Sequence, residues 1–166
     1  MQTDQEPQIL LFESASETDT ERLGRALAEV MQPGVVIGLV GPLGAGKTRL
    51  VRAVAEALGV DPGAIASPTF VLIHEYEGRL PVYHFDVYRL ASAEEFEALG
   101  PADYWDGGGV CLVEWADRAT ELLPDNAWTI RIQIKGPTSR LYSISIPADS
   151  TSRRALVARL ARDGPI

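Results

Sequence analysis

Apolar and polar residues change their period several times along the chain, and each change marks an element. Residues 9–12 form a short apolar run that predicts a strand. Ser14 and Glu17 then stand at capping-box spacing, and Ser16 and Asp19 repeat that spacing more weakly. Leu23, Ala26, Leu27 and Val30 recur on one helical face, which ends at Pro33-Gly34. Residues 35–40 are apolar almost without interruption, as in a strand buried on both faces. After a glycine-rich loop, Leu50, Val51, Val54 and Leu58 restore the helical period, with Gly59 as the stop.

The second half alternates hairpins with short helices. Residues 70–76 and 80–88 read as strands around Glu77-Gly78-Arg79. Ser92 and Glu95 cap a short helix that ends near Gly100. Asp106-Gly-Gly-Gly109 reads as a loop feeding a buried strand over 109–115. Residues 116–123 look helical up to Pro124, 127–134 and 140–146 form a second hairpin, and a last helix covers 152–162. Interleaved strands and helices predict an α/β fold of three layers, with a mixed, mainly parallel central sheet and antiparallel edge hairpins.

Composition narrows the class. The chain of 166 residues is 46% hydrophobic and 23% charged, which suits one domain, residues 1–166, with a core of its own. No apolar run approaches the ~20 residues that a membrane-spanning helix needs. Residues 1–7 are polar and acidic, unlike a secretory signal. Cys111 is the only cysteine, so no internal disulfide forms, which fits a cytoplasmic protein. Net charge is −8, yet residues 131–166 carry seven basic against two acidic side chains, leaving −13 on the remainder. An acidic main body repels a nucleic-acid backbone. The basic tail reads either as a solvated amphipathic helix or as a contact for RNA or an acidic protein, so direct tRNA contact stays open. The chain has thirteen arginines and only two lysines, Lys47 and Lys135. A lysine in such a chain points to a site where arginine does not fit.

Lys47 lies inside Gly41-Pro-Leu-Gly-Ala-Gly-Lys-Thr48, a match to the phosphate-binding P-loop pattern. Chance would supply its fixed positions in roughly one chain of this length in 200. Here the loop also follows a buried strand and opens a helix, as the chemistry demands. Gly44 and Gly46 let the backbone curl, so that successive N–H groups point inward as an anion nest. The helix behind adds its positive end. Lys47 supplies a compact ammonium for the β- and γ-phosphates, and Thr48 a hydroxyl for Mg²⁺. The pattern predicts a P-loop NTPase fold.

Such a site also needs a carboxylate at the end of a neighbouring strand. Glu114 ends the apolar run Val110-Cys-Leu-Val113 and is the candidate metal ligand. Asp86 ends Val82-Tyr-His-Phe85, with His84 and Tyr88 on its face by alternation. Two readings of Asp86 stand: a surface pair with an arginine, or a carboxylate that orients the attacking water or a magnesium-bound water.

Four blocks in one order carry a resemblance. They are Gly-Pro-Leu-Gly-Ala-Gly-Lys-Thr at 41–48, Ser-Pro-Thr-Phe at 67–70, His-Phe-Asp-Val-Tyr-Arg-Leu at 84–90 and Val-Glu-Trp at 113–115. The sequence resembles the TsaE (YjeE) family, bacterial P-loop ATPases of the threonylcarbamoyladenosine modification of tRNA. The resemblance implies that Leu43, Gly44, Ala45, Gly46, Lys47 and Thr48 hold the phosphates. It implies that Thr48 and Glu114 bind Mg²⁺, that Ser67 to Phe70, with Thr69, form a mobile loop near the γ-phosphate, and that Asp86 is needed for hydrolysis. Trp115 would lie close to the nucleotide, with Glu17 and Thr18 and the turn residues Ser139 and Arg140 flanking the base. The implied partners are the TsaB and TsaD proteins, and the implied cofactors ATP and Mg²⁺. The family often has an acid after the first loop glycine, where this chain has Pro42, which removes one N–H from the start of the loop.

The expected reaction is ATP + water to ADP + phosphate, with Lys47, Asp86 and Glu114 as the catalytic set. Arg49 and Arg89 are the candidates for an arginine finger. Without one, P-loop hydrolysis runs as slowly as ~10⁻⁴ s⁻¹, so slow turnover that a partner accelerates is expected. Two alternatives remain: a P-loop small-molecule kinase, which lacks here an arginine-rich lid, and a non-hydrolysing nucleotide-gated interaction module. Tyr76, Tyr83, Tyr88, Tyr104 and Trp105 read either as core or as a docking surface.

Overall fold

Val36–Val40 (β2) and Val110–Glu114 (β5) are buried at every position, because both strands lie mid-sheet with helices on either side. The computed structural model describes residues 8–65, 72–147 and 151–164. The other strands are β1 (Ile9–Ser14), β3 (Ile73–Tyr76), β4 (Val82–Asp86), β6 (Trp128–Ile134) and β7 (Arg140–Ser145). All seven join one sheet in the order β1-β7-β6-β2-β5-β4-β3. The pairs β2–β5, β2–β6 and β4–β5 are parallel, while β6–β7, β1–β7 and β3–β4 are antiparallel. The three-layer α/β fold with a parallel centre and antiparallel edge hairpins is thus as the sequence predicts.

One face is covered by α1 (Glu17–Val30), α2 (Lys47–Ala57) and α5 (Thr151–Arg162), through a core that includes Leu23, Leu27, Leu50, Val54, Leu156 and Leu160. The other face is covered by α3 (Ala93–Glu97), α4 (Pro101–Trp105) and the 3₁₀ turns Ala116–Arg118 and Thr120–Leu122. Phe85, Phe96, Cys111 and Val113 form its core. Strand alternation divides the two: Val36, Cys111 and Val113 face one layer, Ile37, Leu39 and Leu112 the other.

Three expectations need correction. The cap of α1 is Ser16, whose Oγ accepts from the Asp19 N–H, while the Asp19 carboxylate accepts from the Ala15 N–H. Ser14 is unavailable as a cap, because it ends β1 with its side chain buried and its hydroxyl donating to the Ser16 carbonyl. Residues 116–122 make two 3₁₀ turns rather than one helix, since Ala119 leaves the helical region at φ −146°. Residues 101–105 form α4, which no apolar period announces. Gly100 at φ +67° turns the chain, and Pro101 starts a helix too short to show a repeat.

The five aromatics do not make one surface. Tyr76 is buried in the core beneath α1, α2 and α5. Tyr104 packs edge-on to Tyr83 and Phe85, and Trp105 packs at a tilt against Phe85 within the opposite layer. Tyr88 alone among them is exposed, lying against Trp115 with ring centres 4.7 Å apart. Among the described residues no helix is long and apolar enough to cross a membrane.

Candidate functional site

The parallel strands β2, β4 and β5 bring their carboxyl ends to one edge, where the glycine loop leaves β2 and enters α2. Gly44 and Gly46 adopt φ of +79° and +101°, conformations that a side chain disfavours, although a Cβ there would meet nothing within 4 Å. Gly41 is needed for another reason: its Cβ would stand 2.8 Å from the Ile132 carbonyl oxygen. Gly46 heads α2 without any side-chain cap, so the first amides of the helix stay open toward the loop. This is the geometry of an anion nest set on a positive helix end.

Lys47 is 5% exposed and folds back over the loop. Its Nζ donates to the carbonyls of Gly41 (2.7 Å) and Pro42 (3.0 Å), and rests 3.6 Å above the centre of the Trp115 ring. Burial pushes its pKa down, and the nearby carboxylates of Glu114, Asp117 and Asp86 oppose the shift. Pro42, which lacks an N–H, serves through its carbonyl, which also accepts from the Ala45 N–H at 3.1 Å.

A cleft of about 310 Å³ has Leu43, Lys47 and Thr48 on one wall and Asp86, Glu114 and Trp115 on the other. Asp86 and Glu114 are register partners across β4 and β5. Asp86 accepts the Tyr88 N–H at 3.0 Å. Burial pushes its carboxyl up, the Tyr88 hydrogen bond pulls it down, and the Glu114 charge pushes it up again. Glu114 is 2% exposed, and its Oε1 has no hydrogen-bond partner. His84, equally buried, brings Nε2 to 3.7 Å of that oxygen, too far for a hydrogen bond.

A buried carboxylate oxygen without a donor is what a hard cation, or its water, would satisfy. Among the described residues no group of three His, Cys, Asp or Glu side chains could hold a metal by itself. Mg²⁺ suits such a poor donor set, because it takes one or two protein oxygens and completes its shell with phosphate and water. Thr48 and Glu114, in one cleft, fit that ion.

A second cleft of about 550 Å³ lies on the far side of the loop and shares Gly44, Gly46 and Arg49 with the first. Glu17 lines it, held to Arg49 by a 2.8 Å ion pair. Pro137, Thr138 and Arg140 line its hairpin wall, which does not include Ser139. Its floor carries Thr20 and Tyr142, whose hydroxyls are 3.1 Å apart, and Thr20 in turn meets the Ser14 hydroxyl at 3.1 Å. Thr69 and its loop at 67–70 lie outside the described residues.

The resemblance implies that Arg140 flanks the base, and Arg140 lines the second cleft. The structure also has its guanidinium gripping the loop: Nε donates to the Ala45 carbonyl at 2.9 Å and Nη2 to the Gly44 carbonyl at 3.2 Å. Sequence reasoning leaves unforeseen the Arg118 guanidinium, 5.0 Å from the Tyr88 ring centre and 5.6 Å from that of Trp115. Arg118 follows Trp115 by three residues, but no spacing rule links it to Tyr88, 30 residues away, whose carbonyl it also reaches.

The model of the family described as "Threonylcarbamoyl adenosine biosynthesis protein TsaE" matches residues 14–142. The chain belongs to the TsaE family. The match runs from Ser14 to Tyr142 and so takes in both clefts. The TsaE protein of Treponema pallidum is 40% identical, over 80% of this chain and 97% of that protein. That of Bacillus subtilis is 42% identical, over 79% and 82%. Among solved structures, the crystal structure of Bacillus subtilis YdiB superposes with a TM-score of 0.75 at 34% identity, covering 95% of this chain and 97% of that one. The P-loop and the mixed sheet around it are therefore those of a TsaE-family protein.

Proposed function

We propose that this TsaE-family chain binds ATP with Mg²⁺, hydrolyses it slowly, and serves threonylcarbamoyladenosine modification of tRNA in the cytoplasm, in a complex with TsaB and TsaD. One observation carries the catalytic reading: the glycine loop, Lys47, Thr48, Asp86 and Glu114 meet in a single cleft. The loop amides and the Lys47 ammonium bind the phosphates, and the ammonium exchanges the Gly41 and Pro42 carbonyls for phosphate oxygens. Thr48 and Glu114 hold Mg²⁺, which when bound neutralises charge on the β- and γ-phosphates. Asp86 orients the attacking water. Its raised pKa brings it closer to the range in which a carboxylate takes up a proton.

Among the described residues Arg49 is the one arginine lining this cleft, and it is engaged with Glu17. Charge stabilisation of the transition state is then incomplete, which supports slow turnover alone and a partner that completes the site. The test is phosphate release from labelled ATP by wild type, Lys47→Ala and Asp86→Ala, each alone and with TsaB and TsaD. Lys47→Ala should lower the rate by about 10²–10³-fold, as for loss of one preorganised donor. Asp86→Ala should retain nucleotide binding and lose hydrolysis. Wild type that releases no phosphate even with both partners would reject the ATPase reading, and label transferred to a metabolite would replace it with a kinase.

A further inference from the structure

Arg140 begins β7, where it is register partner to both Ser14 of β1 and Ile134 of β6. Its backbone is therefore fixed by strands on both sides. Its guanidinium spends its donors on carbonyls. Nη1 donates to Gly136 (3.0 Å) and Ser139 (2.9 Å) of its own hairpin turn. Nε and Nη2 cross to the glycine loop, to Ala45 and Gly44, residues 95 and 96 positions away in sequence.

The consequence lies in peptide geometry. In a trans peptide the C=O and the following N–H point in opposite directions. Fixing the Ala45 carbonyl on Arg140 therefore turns the Gly46 N–H the other way, toward the phosphate side of the loop. The neighbouring peptide is pinned at both ends, its Gly44 carbonyl on Arg140 and its Ala45 N–H on the Pro42 carbonyl. The intervening glycines cannot hold these peptides themselves, because glycine is permissive on both sides of φ. A charged donor behind the carbonyls also polarises the peptides and strengthens the N–H groups on the other side.

We infer that Arg140 is a positioning residue for polyphosphate: it presets the loop amides from behind and acts on the phosphates only through them. Lysine cannot replace it, since one ammonium does not reproduce the planar fork that reaches two adjacent carbonyls and the turn at once. The inference rests on reading the loop as a polyphosphate cradle.

Calorimetric titration of the full chain with inorganic tripolyphosphate and with ADP, for wild type, Arg140→Lys and Arg140→Ala, tests it. A brace predicts that Arg140→Ala weakens both ligands by the same factor, roughly tenfold or more. Arg140→Lys should recover only part of that loss. Irreversibly unfolded protein lowers the apparent number of sites, and a reversible unfolded fraction raises Kd only by the inverse of the folded fraction, so a denaturant melt of each variant that shows a fully folded protein at the titration temperature tells a lost brace from a folding defect. Should Arg140→Ala not fold at all, Arg140→Lys carries the test through the same common factor. Tripolyphosphate binding that is unchanged while ADP weakens would make Arg140 a nucleoside contact and overturn the inference, as would two unchanged affinities. Wild type that binds neither ligand would reject the cradle itself, a separate result.

Discussion

The Lys47 ammonium sits 3.6 Å above the centre of the Trp115 ring, on a tryptophan held at φ +62°, the sole non-glycine positive φ among the described residues. A left-handed conformation costs a side-chain-bearing residue about 1–2 kcal/mol. A desolvated cation–π contact returns up to about 2 kcal/mol. The contact and the packing of Tyr88 are thus of the size needed to hold Trp115 where it is. On the proposed function, phosphate would draw the ammonium from the ring, so Trp115 emission should change on titration with ADP. The Trp115→Phe variant keeps Trp105 and Trp128 and should lose most of the response. An equal response in that variant would show that the reporter is another tryptophan and that Lys47 stays where it is.

Gly24 and Gly44 predict opposite kinds of damage. A Cβ on Gly24 would lie 2.5 Å from the Ala53 Cβ and 2.9 Å from its carbonyl carbon, where α1 crosses α2. Backbone cannot yield without parting the helices, so overpacking of about 1–3 kcal/mol outweighs the helix propensity that alanine adds. Gly24→Ala should lower Tm by several degrees, at about 2–4 °C per kcal/mol for a chain of this size. Gly44→Ala meets no atom within 4 Å but must hold φ +79°. Its effect should fall on nucleotide affinity, with a smaller change in Tm. Melting curves and ADP titrations of both variants check the contrast, and a Gly24→Ala protein as stable as wild type would show that the helices are not in contact there.

Local features of the sequence announced the elements that make the candidate site, and long-range ones did not. The loop at 41–48, the acid after an apolar strand and the alternation of β4 are patterns within ten residues, and each sits where its period implies. What stayed hidden depends on sheet order. Arg140 meets Gly44 only because β7 and β6 place the hairpin turn beside the loop, and Glu17 meets Arg49 only because α1 lies against α2. The cap of α1 is hidden in the sequence for a related reason. Ser14 and Ser16 offer the same spacing, and only the strand pairing of Ser14 with Arg140 removes it from the contest.

Cys111 should be inert in the folded protein. It is 1% exposed, its Sγ donates to the Tyr104 carbonyl at 3.5 Å, and burial pushes its pKa up to about 12. At pH 8 the buried thiol is therefore almost wholly protonated in the folded protein. Maleimide labelling at that pH should therefore proceed only through unfolding and accelerate with denaturant. Labelling in native buffer at the rate of a small-molecule thiol would mean that β5 is open to solvent.

The attachment of α5 to α1 should weaken in acid. Arg159 grips both oxygens of Glu29, through Nε and through Nη2 at 3.1 Å, and reaches Asp163 with Nη1 at 2.7 Å. The hydrogen bond from Arg159 holds the Glu29 carboxyl below its ordinary 4.5, against a smaller opposing effect of burial. A folded-state pKa below the unfolded one means stability that is complete above about pH 5 and is lost as pH falls through the lowered value. Because Glu29 is half exposed, the pair is worth at most about 0–1 kcal/mol. Glu29→Gln should therefore be less stable than wild type at pH 7 by up to that amount, and the gap should close toward pH 3. Only the difference between the two proteins isolates this carboxylate from all the others that titrate in the same range. Denaturant melts of both at pH 3, 5 and 7 measure it. A gap that is constant with pH would mean that the glutamine merely packs differently and that the ion pair adds nothing.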